Sequence, residues 1–383
     1  MWNSENNDSS LPSSARISAK LKRLNVKVDF YRKVIKAKIR TPELAIIGCY
    51  NTSNVGDLAM GWSIAKVAQS YGFNVSLQSY SGWSKFPDVE KAIIGGGDII
   101  ASRTPSHLSA FVNRRQKHVS ETSIVSVSGA LHDNECTEEE LVFLQSVPFI
   151  SARSRRFRDD LSKLISREVC YYPDAAFALP QDNQFNSQRQ VMGPPTLGIN
   201  VMPHFWAVEQ KRYIPGELSE WFLKHFPEFS ETHKRIAVNY IEAIRAAIRA
   251  AHAIGYRVRI LPFSIEDEVF CHSLLRDLPV EFEPFANNPL CLMRSVSACT
   301  RIIATRYHAH IFALSLGVPL MSISYYPKCS DLWVDLELPM EAQIDLSMLA
   351  LDSNSIVDQL LHSQPACLPN EQINHIRNQA RQG

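Results

Sequence analysis

Long apolar runs and an imbalance of charge are both missing from this 383-residue sequence. Forty Lys and Arg residues against 39 Asp and Glu residues leave a formal charge of +1. The chain therefore lacks the basic character of a nucleic-acid-binding protein, and any anion must be bound locally. No run reaches the roughly eighteen apolar residues of a membrane span, and the first ten residues are too polar for a secretory signal. These absences predict a cytoplasmic protein.

Paired cysteine motifs are also missing. The eight cysteines are scattered and none forms a CxxC pair. Scattered thiols usually pack as small apolar side chains in a reducing compartment, so we expect neither disulfides nor a metal site. The pattern likewise calls for no cofactor.

Composition divides the chain into five segments. Residues 1–16 are rich in Ser and Asn and predict a disordered tail. Residues 181–195 lack an apolar period and end in Gly-Pro-Pro, which is typical of a linker. The predicted organisation is a tail at 1–16, a basic helix at 17–40, a first domain at 41–185, a second at 195–345 and terminal helices at 346–383.

Residues 17–40 predict a basic amphipathic helix. Apolar residues recur there at helical spacing, Lys and Arg crowd the remaining positions, and Asp29 is the only acid. Two interpretations stay open. The helix packs on the first domain with a solvated basic side, or it lies on the anionic inner face of a membrane as a peripheral contact.

Strands alternate with helices in both domains, which predicts βαβ units and mainly parallel sheets. The predicted fold class is α/β, with two Rossmann-like domains facing across a cleft. Ligands of such folds bind beyond the carboxyl ends of the strands, where helix amino termini also point. Polar residues at those junctions are therefore the candidates for function.

The stretch RIIATRYHAHIFALSLGVPLMSISYYPK is the densest in such candidates. Arg306 and His308 follow a short strand, and Lys328 follows the next one. Two cations and a histidine predict an anion site with a proton carrier, because His titrates near neutral pH. For His310, one turn further on, packing and donor binding both stay open.

The first domain places further candidates at strand ends. GCYNTSNVGDLA, which contains Asn54, Gly56 and Asp57, is neither GxGxxG nor a lysine-bearing phosphate loop, so a helix cap and ligand contact are both open. Gly96, Gly97 and Asp98 end another strand, where glycines let a ligand approach closely or simply allow a bend. Further strand-end candidates are Arg153 and Asp174, with His204, Ser264 and Glu266 in the second domain.

Together these motifs resemble the polysaccharide pyruvyl transferase family. The resemblance rests on GCYNTSNVGDLA, AIIGGGDII, FISARS, YYPDAAFAL, LGINVMP and TRYHAHIFALSLGVPLMSISYYPK, in family order between about residues 44 and 335. It implies a fold like that of the B-type glycosyltransferases. Two positions depart from the family pattern, since Ser154 and Leu58 stand where acidic residues are frequent.

The resemblance also implies a reaction, in which phosphoenolpyruvate donates its pyruvyl group to a saccharide as a ketal. On this basis Arg306, Lys328, Arg153 and His310 bind the donor, and His308 moves the proton with Asp57, Asp98 or Asp174 assisting a sugar hydroxyl. The acceptor side lies in the first domain and the donor side in the second. The predicted acceptor and cleft loops contain Asn54, Gly56, Gly96, Gly97 and His204.

Two alternatives share these features. A B-type glycosyltransferase that uses a sugar nucleotide has the same two-domain cleft, and Glu266 or Glu283 is a weak candidate for its ribose contact. A non-catalytic scaffold of a polysaccharide assembly complex is the other. The expected acceptor is a saccharide, either free or lipid-linked.

Overall fold

The computed structural model describes residues 42–50, 53–79, 89–100, 108–128, 136–179, 193–203, 206–209, 212–214, 219–220, 223, 233–349 and 353–383. The predicted tail, the basic helix, His204 and the linker up to residue 192 lie outside this set. The described residues form two compact units. The N-terminal unit comprises those between Asn25 and Pro180 together with Asn370–Gly383, and the C-terminal unit those between Gln181 and Pro369.

Each unit is built on a parallel six-stranded sheet. In the N-terminal unit the strand order is β2-β1-β3-β4-β5-β6, and in the C-terminal unit it is β11-β10-β7-β12-β13-β14. An antiparallel pair, β8-β9, stands apart. The strands are β1 (Leu44–Gly48), β2 (Val75–Ser79), β3 (Lys91–Gly97), β4 (Thr122–Val127), β5 (Phe149–Ala152), β6 (Cys170–Tyr171), β7 (Thr196–Ile199), β8 (Ala207–Glu209), β9 (Arg212–Ile214), β10 (Arg257–Ile260), β11 (Glu281–Phe282), β12 (Arg301–Ala304), β13 (Leu320–Ser324) and β14 (Gln343–Asp345).

Helices connect the strands in both units, so the predicted α/β class with two Rossmann-like units is confirmed. Within the described ranges no helix has the combined length and apolarity needed to cross a bilayer. The helices are α1 (Val55–Ser70), α2 (Leu108–Arg115), α3 (Glu138–Ser146), α4 (Arg155–Ile165), α5 (His233–Ala253), α6 (Ile265–Leu275), α7 (Pro289–Ser297), α8 (Tyr307–Ser315), α9 (Pro327–Asp335), α10 (Leu346–Leu349), α11 (Ser353–His362) and α12 (Asn370–Gln382).

The two helices predicted at the end of the chain belong to different units. Helix α11 packs on α5 in the C-terminal unit, whereas α12 packs against the 3₁₀ turn Ala175–Ala178 of the N-terminal unit. Helix α12 buries Ile373, Ile376 and Ala380 on one side. The last helix of the chain therefore belongs to the N-terminal unit.

Helix α8 explains how the densest motif is held in place. All nine of its residues are buried, including the polar Ser315. A helix that is buried on every side packs against its neighbours on all of them. Gly317, with a φ of 60°, then ends it in the left-handed conformation that glycine tolerates. The first turn of α8 is thereby fixed at the end of β12.

The strand order reverses once in each sheet. In the N-terminal unit the chain moves outward from β1 to β2 and then continues on the other side at β3; in the C-terminal unit it moves from β7 through β10 to β11 and resumes at β12. Ligands of open α/β sheets bind at such switch points, beyond the carboxyl ends of the strands. Gly48 and Asp98 mark that point in the first sheet, and Asn200 and Arg306 mark it in the second.

Candidate active site

At the carboxyl edge of the C-terminal sheet, Arg306 forms a buried ion pair with Asp267. Its Nε donates to Oδ1 and Oδ2 of Asp267 at 2.9 and 2.7 Å, and its Nη2 donates to Oδ1 at 2.6 Å. Nη2 also donates to Ser264 Oγ at 2.9 Å. The side chain of Asp267 is fully buried and that of Arg306 is 10% exposed. Arg306 is thus held by a carboxylate that the sequence analysis did not identify.

Asn200 connects the Arg306–Asp267 ion pair to the switch point of the C-terminal sheet through hydrogen bonds. Its Oδ1 accepts from the Arg306 backbone N–H at 2.8 Å, and its Nδ2 donates to Leu261 O at 3.1 Å and to Asp267 Oδ2 at 3.4 Å. The Phe263 N–H donates to Asp267 Oδ2 at 3.0 Å. The end of β7, the first turn of α6 and the start of α8 are therefore joined through one buried polar network, which fixes the orientation of Arg306.

Arg306 remains a cation in this setting. Burial opposes its charge, but the Coulombic attraction and hydrogen bonds of Asp267 outweigh burial and raise the pKa of Arg306 above its ordinary value. Among the described residues, the hydrogen bonds of the guanidinium use Nε and Nη2, and none uses Nη1. Because a guanidinium presents donors along more than one edge, Nη1 remains able to bind an oxyanion.

His308 and Lys328 lie at the same sheet edge. His308 is in the first turn of α8 and is buried, with its ring edge-on to that of Tyr307 at 5.3 Å between centroids. Lys328 is in the first turn of α9, half-buried, with Nζ 5.8 Å from the ring centroid of Tyr307. The topology thus brings Arg306, His308 and Lys328 to one edge, as the sequence predicts.

His310 occupies a different environment. It is fully buried, and its ring packs edge-on against Trp333 at 5.5 Å. Burial lowers the pKa of His310 to about 4, although nearby backbone groups, the largest from Tyr307, oppose the shift. His310 therefore packs in the core as a neutral ring, and its contact with the donor stays a prediction.

At the carboxyl edge of the N-terminal sheet, Arg153 joins Asp98 and Asp174. Nη1 donates to Asp174 Oδ2 at 2.7 Å, and Nη2 donates to Asp98 Oδ1 at 3.2 Å and to Ser128 Oγ at 2.7 Å. Ser128 Oγ in turn donates to Asp98 Oδ1 at 2.7 Å. These residues follow β3, β4, β5 and β6, so parallel strand order alone brings them together.

Asp98 and Asp174 differ in solvent exposure, and this difference indicates different roles. The Asp98 side chain is 32% exposed, whereas that of Asp174 is 0% exposed. Asp174 Oδ1 also accepts from the Ala176 N–H at 2.8 Å and caps a 3₁₀ turn. Of the two, Asp98 is placed to reach a ligand and Asp174 to hold the turn.

The same network changes the interpretation of Arg153. Its guanidinium is buried and donates hydrogen bonds to the carboxylates of Asp98 and Asp174. In this position Arg153 orients the carboxylate of Asp98, and its contact with the donor stays a prediction.

Gly96 has a structural reason to be glycine. Its φ is 73°, and a Cβ there would lie 2.5 Å from Met60 Sδ. Gly97, with a φ of 92°, leaves more room, since its Cβ would lie 3.9 Å from Met60 Cε. Close packing against α1 thus accounts for Gly96, and Gly97 is the glycine that leaves room for a ligand.

The first loop also contains a helix cap. Asn54 Oδ1 accepts from the Gly56 N–H at 3.0 Å at the start of α1, and Asp57 lies in the first turn of that helix. Helix capping therefore accounts for Asn54, as the open interpretation allowed. Ser154 likewise caps α4 by accepting from the Phe157 N–H at 3.1 Å.

Sequence reasoning missed Asp267, Asn200 and Ser128. Asp267 had a detectable signal, because Ser264 and Asp267 have the spacing of a helix cap and the Asp267 N–H donates to Ser264 Oγ at 3.1 Å. Asn200 directly follows β7 and Ser128 directly follows β4, just as the predicted site residues follow the ends of other strands. No three His, Cys, Asp or Glu side chains of the described chain are grouped as metal ligands.

Comparison with known proteins identifies the class of the chain. The family model for polysaccharide pyruvyl transferases matches residues 54–326. The chain therefore belongs to the polysaccharide pyruvyl transferase family and is a transferase of polysaccharide modification. A sequence search among curated proteins finds no match.

The solved structures that match this chain have low sequence identity to it. MurG of Acinetobacter baumannii is 10% identical over 89% of this chain and 95% of its own, with a TM-score of 0.44. The ADP-heptose LPS heptosyltransferase II of E. coli is 14% identical over 87% and 99%, with a TM-score of 0.36. A functionally uncharacterised protein of Klebsiella pneumoniae is 12% identical over 82% and 93%, with a TM-score of 0.41.

Proposed function

We propose that the protein transfers the pyruvyl group of phosphoenolpyruvate to a saccharide and forms a pyruvate ketal, in the biosynthesis of an exopolysaccharide or cell-surface glycan. The observation that carries the proposal is the grouping of Arg306, His308 and Lys328 at one sheet edge, inside the region that matches the family. No metal or cofactor takes part in the proposal, since phosphoenolpyruvate is a co-substrate.

Donor binding is assigned to the C-terminal unit. Phosphoenolpyruvate carries a phosphate and a carboxylate, so its site needs more than one cation. Arg306 offers Nη1, and Lys328 offers an ammonium at the start of α9. The pair Arg306–Asp267 is neutral overall, which makes Lys328 the more important source of net positive charge at this edge.

The reaction requires two proton transfers. A sugar hydroxyl adds to the central carbon of the donor while the methylene carbon gains a proton and becomes a methyl group. Phosphate leaves as its bond to the central carbon breaks. The second hydroxyl then adds to the central carbon in its place and closes the ketal. One hydroxyl proton balances the methyl group and the other leaves with phosphate.

His308 is assigned to the proton at the donor and Asp98 to an acceptor hydroxyl. His308 is next to Tyr307 in the first turn of α8, at the edge where Arg306 and Lys328 lie. Asp98 is favoured over Asp174 because it is partly exposed, and the hydrogen bonds from Arg153 and Ser128 hold its carboxylate in place. Asp57 stays an alternative for the same role. The acceptor, free or lipid-linked, is thereby assigned to the N-terminal unit.

The test is a panel of acceptor glycans incubated with phosphoenolpyruvate, followed by phosphate release and by mass spectrometry for the ketal. We expect both signals with at least one acceptor. Replacing His308 by Ala should reduce phosphate release by about 100- to 10,000-fold while the far-UV spectrum is unchanged. Near-normal turnover in that variant would contradict the assignment of His308.

Thermal shift distinguishes this function from the alternatives. Stabilisation by phosphoenolpyruvate supports pyruvyl transfer, because a ligand that binds only the folded state raises its stability. Stabilisation by a nucleotide sugar instead would indicate a glycosyltransferase. No stabilisation by either ligand, together with no turnover, would indicate a scaffold.

A further inference from the structure

Three tyrosine rings surround the ammonium of Lys328. The Nζ atom lies 5.1 Å from the ring centroid of Tyr326, 5.8 Å from that of Tyr307 and 6.0 Å from that of Tyr325. A cation within about 6 Å of an aromatic face is attracted by the quadrupole of the ring. All three rings are within that range, so Lys328 lies in an aromatic cage.

Two separate segments build the cage. Tyr307 is the first residue of α8, whereas Tyr325 and Tyr326 lie between β13 and α9. Tyr307 and Tyr325 are buried and Tyr326 is half-buried. Tyr326 is also the N-cap residue of α9, but its side chain makes no capping hydrogen bond. Capping therefore does not account for the ring at this position.

Tyr307 connects the cage to the histidine of the site. Its ring faces Lys328 and also packs edge-on against His308, at 5.3 Å and an interplanar angle of 82°. One ring therefore contacts both the residue assigned to the proton and the residue assigned to the donor anion.

We propose that Tyr307, Tyr325 and Tyr326 are positioning residues that hold the Lys328 ammonium, at the sheet edge where His308 also lies, before the donor binds. The proposal rests on the proposed function and adds a specific means of donor recognition. A lysine side chain has about 2 kcal/mol of rotamer entropy to lose when it is fixed. Rings that restrict it in advance reduce that loss at the moment of binding.

The matched variants are Tyr326→Phe, which keeps the aromatic face, and Tyr326→Leu, which removes it. We expect Tyr326→Leu to raise the KM for phosphoenolpyruvate about three- to tenfold with a smaller change in kcat, because a weakened cage affects donor binding. Tyr326→Phe should stay within about twofold of the unmodified protein. Equal KM values in the Leu and Phe variants would overturn the proposal.

A double-mutant cycle with Lys328→Met separates positioning from general packing. If the ring acts through Lys328, Tyr326→Leu weakens the thermal shift caused by phosphoenolpyruvate when Lys328 is present and has no further effect in the Lys328→Met variant. Equal effects in both backgrounds would overturn the proposal. Tyr325→Phe and Tyr325→Leu give a second pair, so the test stands even where one Leu variant does not fold.

The outcomes also separate this inference from the proposed function. If the unmodified protein neither releases phosphate from phosphoenolpyruvate nor is stabilised by it, the proposed function fails and the cage has no donor to recognise. If the unmodified protein does both and the Leu variants match it, only the inference fails.

Discussion

Arg306 and Asp267 form a buried pair in which both carboxylate oxygens accept from the guanidinium, the shortest contact being 2.6 Å from Nη2 to Oδ1. Asp267 is fully buried, so removing its charge leaves a buried cation with only neutral partners. We expect Asp267→Asn to reduce the free energy of unfolding by about 3–5 kcal/mol. Denaturant unfolding measures the loss.

The control is the double variant Arg306→Met/Asp267→Leu, in which both charges are replaced by apolar groups. Such replacements are often neutral or stabilising, so the double variant should be more stable than Asp267→Asn. It should nevertheless lose activity, because Arg306 Nη1 is lost with it. A double variant less stable than Asp267→Asn would show that the pair stabilises the fold in some other way.

His310 should make stability depend on pH. Its pKa in the folded protein is about 4, against the usual 6.5, so the unfolded chain binds the proton more readily. The contribution of His310 to stability is therefore complete above about pH 6.5, and it is lost progressively as the pH falls to about 4. The total loss is about 3 kcal/mol.

Unfolding experiments between pH 7 and pH 4 measure this loss. His310→Gln, which cannot titrate there, should be less stable at neutral pH but should show a shallower decline on acidification. If both proteins lost stability equally over this range, other groups would be responsible for the acid sensitivity.

Asp98 and Asp174 should respond differently to the same substitution. Asp98→Asn removes the partly exposed carboxylate, and we expect kcat to fall about 100-fold or more with a change in stability below about 1 kcal/mol. Asp174→Asn removes a buried charge beside Arg153 and should cost about 1–3 kcal/mol of stability. Phosphate release and denaturant unfolding, measured on both variants, test whether Asp98 acts in catalysis and Asp174 in stability. A larger loss of stability for Asp98→Asn than for Asp174→Asn would reverse the assignment.

Gly96→Ala should destabilise the N-terminal unit by more than the matched variant Gly72→Ala. Both glycines have positive φ, 73° and 90°, which costs an alanine roughly 1–2 kcal/mol. A Cβ at Gly72 meets nothing within 4 Å, whereas one at Gly96 meets Met60 Sδ at 2.5 Å. The melting temperatures of the two variants measure the difference.

Adding Met60→Ala to the Gly96→Ala variant should relieve the steric part of the loss. The melting temperature of the double variant should then exceed the value expected if the two single losses simply added. Simple additivity would show that the backbone conformation, and not the contact with Met60, sets the cost.

The sequence supports accurate prediction of secondary structure because local patterns determine it. The predicted alternation of strands and helices is observed in both units, and the predicted terminal segment 346–383 contains the helices Ser353–His362 and Asn370–Gln382. Helix α9 was missed, because Tyr326, Pro327 and Lys328 suggested only the end of a strand. Its Pro lies at the start of the helix, where the missing N–H costs nothing.

Parallel strand order also makes some of the site predictable from the sequence. Residues just after the strands of a parallel sheet share one edge, so Arg306, His308 and Lys328 could be grouped from the sequence, as could Arg153, Asp98 and Asp174. Each grouping depends only on the direction and order of the strands.

The partners of these residues were decided by tertiary structure alone. Asp267 is 39 residues before Arg306 and lies on a different helix, and the three rings around Lys328 come from both sides of β13. Which charge is neutralised depends on side-chain distances of a few ångströms, and sequence spacing does not encode them. The sequence therefore determined which groups reach each edge, and packing decided that Arg153 faces two carboxylates while Lys328 faces aromatic rings.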